Sequence, residues 1–258
     1  MKFSIITSSL NVEKTVGRCI ESVLCQKDVD VEHIIVDGLS ADSTGQIIRH
    51  WAQSDDRLKY IIEKDEGIYD AWNKGVEMAS GEWILFLGAD DFLINQSILG
   101  EIQSNIRISS DKLGFISCRS VKGDVATFDF ENIVLKPRKN IKSLYDGPII
   151  SMPDHPALFH SRAIFLSGYR FDQSFPTAAD KKMFLELSHV ADIQYMEFLL
   201  TFFSLGGVTN RSGNLVRRWF EKNRLRKHFE LPIVPYYYYK SFLGAVYYDF
   251  LHFFNLKN

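Results

Sequence analysis

An α/β fold with a mainly parallel sheet and helices on both faces is predicted by two features of the first 120 residues. Strand-like runs alternate with helix-periodic stretches, and the runs are apolar almost throughout, as in strands buried on both faces. Residues 3–7 (Phe-Ser-Ile-Ile-Thr) read as the first strand. Residues 12–25 then place Val12, Val16, Cys19, Ile20, Val23 and Leu24 at helical spacing. His33-Ile-Ile-Val-Asp37 reads as a second strand ending in a carboxylate, and Asp42 is placed to N-cap the next helix. Leu58–Ile62 reads as a third strand. Residues 68–79 carry Ile68, Ala71, Trp72, Gly75, Val76 and Ala79 on one helix face, with Ser80-Gly81 expected to close the helix. Trp83–Leu87 reads as the fourth strand. Parallel strands need crossovers, and this order supplies a helix for each. Such sheets bind ligands beyond the carboxyl ends of their strands. The polar residues expected there are Thr7, Asp37, Asp65, Asp90 and Asp91.

Beyond residue 110 the pattern loosens. Residues 114–118 and 124–128 read as an antiparallel addition. Pro137, Pro148, Pro153 and Pro156 mark 136–156 as a long loop over a site. Residues 177–190 read as helix, 193–203 as strand and 215–229 as a basic helix that Pro232 and Pro235 end. The expected organisation is one domain over 1–210, with halves 1–110 and 111–210, and a C-terminal helical, basic and aromatic extension over 211–258.

Composition narrows the function classes. With 258 residues, 46% apolar and 24% charged, the chain is an ordinary globular protein, large enough to fold without disulfide or metal staples. A net charge of −2 argues against a general nucleic-acid binder. The charge is uneven: residues 28–91 hold 15 Asp/Glu against 5 Lys/Arg, and residues 211–230 hold 7 Lys/Arg against 2 Glu. The acidic part suits a cation and the basic part an anionic surface. Three cysteines without a C-x-x-C pair exclude a disulfide framework or zinc knuckle and fit a reducing cytosol. Neither a signal peptide nor an apolar run of membrane-spanning length is expected.

The stretch Leu85-Phe-Leu-Gly-Ala-Asp-Asp-Phe92 carries the most chemistry. Two adjacent carboxylates after a wholly apolar strand repel each other and call for a compensating cation or donor network. Mg²⁺ or Mn²⁺ would take carboxylate oxygens there and keep positions open for substrate phosphates. The plainer reading is a solvated turn with an Asp cap. Asp37 could accept an N–H from a planar base, or simply form a turn before Gly38. Lys74 could offer a point charge to a diphosphate, or lie on a solvated helix face. His155, on the Pro-rich loop, could reach a diphosphate or an acceptor. Asp180, near a helix start, could favour the macrodipole or serve as a base.

Together the first 100 residues resemble the family 2 glycosyltransferases, inverting enzymes of the Rossmann-like GT-A fold that use nucleotide-diphosphate sugars. The matching pieces are Ser4-Ile-Ile-Thr…Asn11, Ile34-Ile-Val-Asp-Gly-x-Ser-x-Asp42, Asp65-Glu-Gly-Ile-Tyr-Asp-Ala-Trp-Asn-Lys-Gly75 and Ala79-Ser-Gly-Glu-Trp…Gly-Ala-Asp-Asp91. A looser match covers Asp154-His-Pro-Ala-Leu-Phe159 and Gly168-Tyr-Arg-Phe-Asp172…Ala178-Ala-Asp180. The Asp-Glu-Gly-Ile-Tyr-Asp-Ala block is similar to a subgroup that builds bacterial surface polysaccharides. The resemblance implies that Asp91 ligates a metal on the diphosphate, Asp90 contacts the ribose or a metal-bound water, Asp37 the base, and Thr7 the nucleotide pocket. It places Asp65 and Lys74 on the nucleotide side and Asp180 as general base. It implies a nucleotide-sugar donor, with UDP the expected base carrier, and a glycan acceptor in O-antigen, capsule or exopolysaccharide synthesis. The chain departs from the pattern at Val36-Asp-Gly-Leu-Ser40, where Val-Asp-Asp-Gly-Ser is common, at Ser43, where Gly is usual, and at His155-Pro156, where His-Gln is frequent.

Residues 217–228 are basic, and 236–254 contain ten aromatics. Such a composition fits peripheral contact with an anionic membrane, hence a polyprenyl-diphosphate-linked acceptor at the inner face of a bacterial cytoplasmic membrane. Two other classes compete. A sugar-nucleotide pyrophosphorylase should carry a Gly-rich loop after the first strand, where this chain has Ser8-Ser-Leu-Asn11. A non-catalytic membrane-surface adaptor would not need carboxylates at three successive strand ends. The absence of G-x-G-x-x-G disfavours a dinucleotide enzyme.

Overall fold

A computed structural model describes residues 1–124, 153–204 and 215–230. The strand candidate at 124–128, most of the Pro-rich segment and the aromatic segment at 236–254 fall outside the described residues.

Strand β1 (Lys2–Ser9) lies at the centre of the parallel half of an eight-stranded sheet. It pairs in parallel with β2 (Asp30–Asp37) on one side and β4 (Trp83–Phe86) on the other, and β3 (Leu58–Ile62) flanks β2. The chain therefore runs outward from β1 to β3 and returns to the far side of β1 as β4. That reversal opens a crevice between the carboxyl ends of β1 and β4, which is where ligands enter such sheets.

The second half of the sheet is mixed. β7 (Leu158–Ser161) runs antiparallel to β4 and to β6 (Gly114–Gly123). β8 (Asp192–Ser204) runs parallel to β6, with register shifts around Arg119, and antiparallel to the two-residue β5 (Phe92–Leu93). The strand expected at 114–118 as part of an antiparallel addition is β6, which runs antiparallel to β7 but parallel to β8.

Period-2 alternation sorts the strand residues onto two faces. Phe3, Ile5, Val31, Trp83 and Leu85 face α1 (Val16–Leu24) and α4 (Ile98–Gln103). Ile35 and Leu58 add the contact with α2 (Thr44–Ser54). Ile6, Ile34, Ile84 and Phe86 face α3 (Ile68–Met78), α5 (Arg162–Leu166) and α6 (Ala179–Leu187). Phe3, Trp83, Phe86 and Phe159 are wholly buried, each contributing roughly 1.5–3 kcal/mol of transfer free energy. Leu225 of α7 (Leu215–His228) packs into the same cluster as Trp72 and Phe184, so the basic helix is anchored on the sheet's core.

Two local expectations shift. Helix α2 begins one residue later than an Asp42 cap implies: Ser43 is the boundary residue. Asp42 instead accepts the Thr44 N–H at 3.0 Å and the Glu13 N–H at 3.1 Å, tying the β1–α1 and β2–α2 loops together. Helix α3 closes at Ala79 in extended backbone, without a left-handed glycine. Gly81 serves another purpose, because a Cβ there would stand 2.6 Å from the Ser4 nitrogen. The chain needs a bare residue to pass that close to β1.

Candidate active site at the carboxyl edge of the sheet

The Asp90–Asp91 loop follows β4 directly and is held by three elements. Its next residues form β5, which pairs with the end of β8, so the Ser204 N–H donates to Asp91 Oδ1 at 2.8 Å. The Ser204 hydroxyl donates to the Asp90 carbonyl, as does Arg18 Nη2 from α1 at 3.0 Å. Arg18 also lies over the Phe92 ring at 4.7 Å. The Cys19 thiol donates to the Gly88 carbonyl, and burial pushes that thiol up to about 12, so it stays a protonated donor.

Both carboxylates curl over Gly88. A Cβ on Gly88 would lie 2.6 Å from Asp91 Oδ2 and 3.0 Å from Asp90 Oδ1. Two carboxylate oxygens therefore converge on one small space that only glycine leaves open. Asp91 is 3% exposed, and burial, with the charge of Asp90 added, raises its carboxyl to about 7. A divalent cation bound by these oxygens would relieve that repulsion, so the residues fit one. Among the described residues no third His, Cys, Asp or Glu joins the pair. Such a site leaves the cation's remaining positions to substrate oxygens and water.

The other predicted residues on the nucleotide side divide into two kinds. Asp37 is fully buried and accepts Ser9 Oγ at 2.8 Å, Ser40 Oγ at 2.6 Å and the Ser40 N–H at 2.9 Å. It is the clasp of the β2–α2 turn, at the β1 edge of the crevice. Asp65 accepts the Gly67 N–H at 2.9 Å, and its carboxyl is pushed up by burial, with Asp70 and Asp37 adding to the rise. Asp37 and Asp65 are thus brought together electrostatically. Thr7 does not line the pocket as expected. It faces α1, fully buried, with its hydroxyl 2.9 Å from His33 Nε2; burial lowers that imidazole to about 3 and keeps it neutral. Lys74 is not a spare point charge: it pairs with Glu63 at 2.8 Å and Asp70 at 3.1 Å.

A third group lies on the opposite face of the sheet. Asp180 sits in the first turn of α6 and accepts the Tyr69 hydroxyl, from the start of α3, at 2.9 Å. His155 opens a 3₁₀ turn (His155–Ala157) and stacks on Trp72 at 4.9 Å between centroids. Burial lowers the His155 pKa, partly offset by the Asp180 charge, so the two are electrostatic neighbours. The segment leading into α6 is clamped by α7. Glu221 accepts both the N–H and the hydroxyl of Thr177, at 2.8 and 2.9 Å, and Arg224 donates to the Ser174 carbonyl and hydroxyl, both at 2.9 Å. The Arg224 guanidinium also covers the Phe175 ring at 3.9 Å.

Carboxylate clusters at a switch point fit several nucleotide-handling enzymes, and known proteins show which of them this chain is similar to. Residues 4–105 match the family model described as Glycosyl transferase family 2. Residues 4–105 are thus similar to the family 2 glycosyltransferases. That span takes in β1–β4 and the Asp90–Asp91 loop. Over 105 residues, 40% of its length, the chain is 41% identical to the PGL/p-HBAD biosynthesis glycosyltransferase of Mycobacterium tuberculosis. It spans about two fifths of that relative's length (41%). Among solved structures it resembles Staphylococcus aureus TarS 1–349 in complex with UDP-GlcNAc, with a TM-score of 0.66 at 16% identity over 95% of this chain and 72% of that one. It also resembles the mannosyltransferase PcManGT of Pyrobaculum calidifontis in complex with GDP-Man and Mn²⁺, with a TM-score of 0.65 at 19% identity over 97% and 69%. At such identities these two carry the fold, and they extend it past the family 2 span across most of the chain.

Around this site, the residues that sequence reasoning passed over are the supports. Arg18 could have been noticed as a cation amid the apolar Val16, Cys19 and Ile20 of α1. Tyr69 sits inside a block already singled out. Ser204 and Glu221 had no local signal, because each reaches the site from more than 40 residues away.

Proposed function

We propose that the protein is an inverting glycosyltransferase moving a sugar from a nucleotide-diphosphate sugar, with UDP as the carrier, to a glycan acceptor. The observation that carries this reading is the convergence of Asp90 and Asp91 over Gly88 at the switch point, with Asp91 raised to about 7 by burial and its neighbour. In this reading Asp91, with Asp90, holds Mg²⁺ or Mn²⁺, which supplies Lewis-acid stabilisation of the leaving diphosphate. Asp90 contacts the ribose or a metal-bound water. Asp37 and Asp65 line the base side, where the Ser9–Asp37–Ser40 clasp fixes the loop. Thr7 supports that strand from beneath, and Lys74 neutralises the acids around Asp65.

Transfer with inversion needs a base for the acceptor hydroxyl, whose own pKa is far above neutral. Asp180 takes that role. It lies across the sheet on α6, oriented by a hydrogen bond and close to His155, which stands on the acceptor side. Residues 1–110 then form the nucleotide half, 111–210 the acceptor half, and 211–258 the extension.

For the acceptor we propose a polyprenyl-diphosphate-linked glycan of a bacterial surface polysaccharide, met at the inner face of the cytoplasmic membrane. No helix among the described residues is long and apolar enough to cross a membrane. Helix α7 offers a surface contact instead, with exposed Phe220 beside Arg217 and with Arg226, Lys227 and His228 in its last turn. Calorimetric titration with UDP, GDP and dTDP, in Mn²⁺ and then in EDTA, tests the donor reading. Metal-dependent binding of one nucleotide is expected; no binding of any of the three would sink it.

A further inference from the structure

Tyr69 belongs to the Asp65–Ala71 block, yet no step above uses its hydroxyl. It sits in the first turn of α3, two residues after Gly67, whose N–H caps Asp65. Its ring is buried, packed edge-on against Trp72 at 5.3 Å and stacked on Phe171 at 5.6 Å. A ring gripped on two sides has little freedom, so its hydroxyl is aimed by the core. That hydroxyl donates to Asp180 Oδ1 at 2.9 Å across 111 residues of sequence. A buried phenol facing a carboxylate is itself held protonated: burial first, and then the Asp180 charge, push its pKa well above 10. The hydroxyl is therefore a permanent donor.

We propose that Tyr69 is a positioning residue for the transfer step. It occupies one oxygen of Asp180 and turns the other toward the acceptor hydroxyl. This rests on the reading of Asp180 as the base and deepens it. A carboxylate free to rotate about its terminal torsion presents a usable oxygen only part of the time, and small misplacements of a base are costly in rate. The arrangement also joins the halves of the site. The helix that follows Asp65 on the nucleotide side carries the hydroxyl that fixes the base on the acceptor side. The other ionisable groups around the pair are His155 on the 3₁₀ turn, Lys181 on α6 and Glu221 on α7. Among the described residues it is Tyr69 that hydrogen-bonds the Asp180 carboxylate.

The test is Tyr69→Phe, which keeps the ring and removes only the hydroxyl, compared with Asp180→Asn and the parent protein. Nucleotide release is measured in Mn²⁺ over a panel of UDP-, GDP- and dTDP-sugars, with water as the acceptor whose hydroxyl the base deprotonates and which takes the sugar. The Asp180 carboxyl-carbon resonance, assigned by its loss in Asp180→Asn, is followed at fixed pH, and a thermal melt checks folding. The expected result is a kcat lower by about 10–100-fold with donor KM unchanged. The resonance should move while the melting midpoint stays near the parent's. An unmoved resonance would overturn the proposal, as would a moved resonance with parental kcat. A fall in kcat that tracks the melting midpoint would make Tyr69 merely structural. An Asp180→Asn protein with full activity would instead remove the base assignment, a failure separate from the others.

Discussion

The two ends of the parallel sheet treat a buried carboxylate in opposite ways. At the amino end Glu32 is 1% exposed and surrounded by compensation. Lys59 and Lys2 pair with it at 2.7 and 3.2 Å, and Ser4 Oγ, the Ser80 N–H and Ser80 Oγ all donate to it. Burial alone would raise its pKa, but the Lys59 and serine hydrogen bonds outweigh that and hold it at about 2. At the carboxyl end Asp91 is equally buried, has a like charge as neighbour, and stands at about 7. One carboxylate has two lysine partners; the other has the Ser204 N–H but no ion pair among the described residues. Within a single sheet, a satisfied charge marks scaffold and an unsatisfied one marks the place where a ligand is expected.

The largest effect should come from removing the unsatisfied charge. Asp91→Ala is expected to abolish metal-dependent nucleotide binding and to lower transfer by about 10²–10³-fold or more. Calorimetry in Mn²⁺ measures the first effect, and parental affinity would take Asp91 out of the metal site. Stability should move the other way. A group whose folded pKa is raised stabilises at low pH, and that contribution is lost as pH rises from about 4 through about 7. Metal-free protein should therefore be less stable at pH 8 than at pH 5 through this group, by about 2–3 kcal/mol at most. Asp91→Asn should flatten that slope, and Mn²⁺ should restore the parent at pH 8. A slope unchanged in Asp91→Asn would break the comparison.

Asp180→Asn comes next. Nucleotide affinity should persist while transfer falls about 10²–10⁴-fold, since the change leaves the Asp90–Asp91 cradle intact and removes the proposed base. Loss of nucleotide binding in this variant would mean that the two groups are not separable.

Glu32→Gln sharpens the contrast from the scaffold side. The variant should lose about 2 kcal/mol, once solvent screening at the exposed lysine ends is allowed for. The parent should lose the same contribution as pH falls from about 4.5 towards 2, because this carboxyl is depressed in the fold. Activity per folded molecule should be unchanged. A Glu32→Gln protein with lowered kcat would erase the distinction between the two ends.

The difference between the ends also explains what was legible in the sequence. β1, β2 and β4 were readable because each buries a continuous apolar run, and the helices because their period is local; β3 buries Leu58 alone and was readable from its place between two helices. The carboxylates after β2, β3 and β4 were readable because topology puts strand ends at one edge. Thr7 was misplaced by one face: it shares the α1 side with Phe3 and Ile5, and alternation decides burial more strongly than nearness to an edge. Lys74 was readable as a cation, and its i,i+4 partner Asp70 was readable too, but not Glu63, which lies on the far side of a loop. The parallel β6–β8 ladder, Ser204 on Asp91 and Tyr69 on Asp180 are long-range pairings. No local period announces them.

Helix α7 supplies the smallest of the expected effects. It looks like an appendage by composition, yet Leu225 is in the core and Glu221 caps the segment that delivers Asp180. Glu221 gives up exposure to accept two donors from Thr177, only three residues before Asp180. Glu221→Gln keeps the shape but removes the charge, and because both donors meet Oε2 an amide oxygen there can still accept both bonds, more weakly. The expected cost is about 1–2 kcal/mol in unfolding, read by urea titration. If the clasp holds the approach to α6 in register, kcat should drop only a few-fold, and nucleotide affinity should not move. Glu221→Ala, which can accept neither bond, should lose more on both measures. Equal behaviour of the Gln and Ala variants would mean that α7 is held by Leu225 and Arg224 alone, and that the basic helix and the proposed base are neighbours without being coupled.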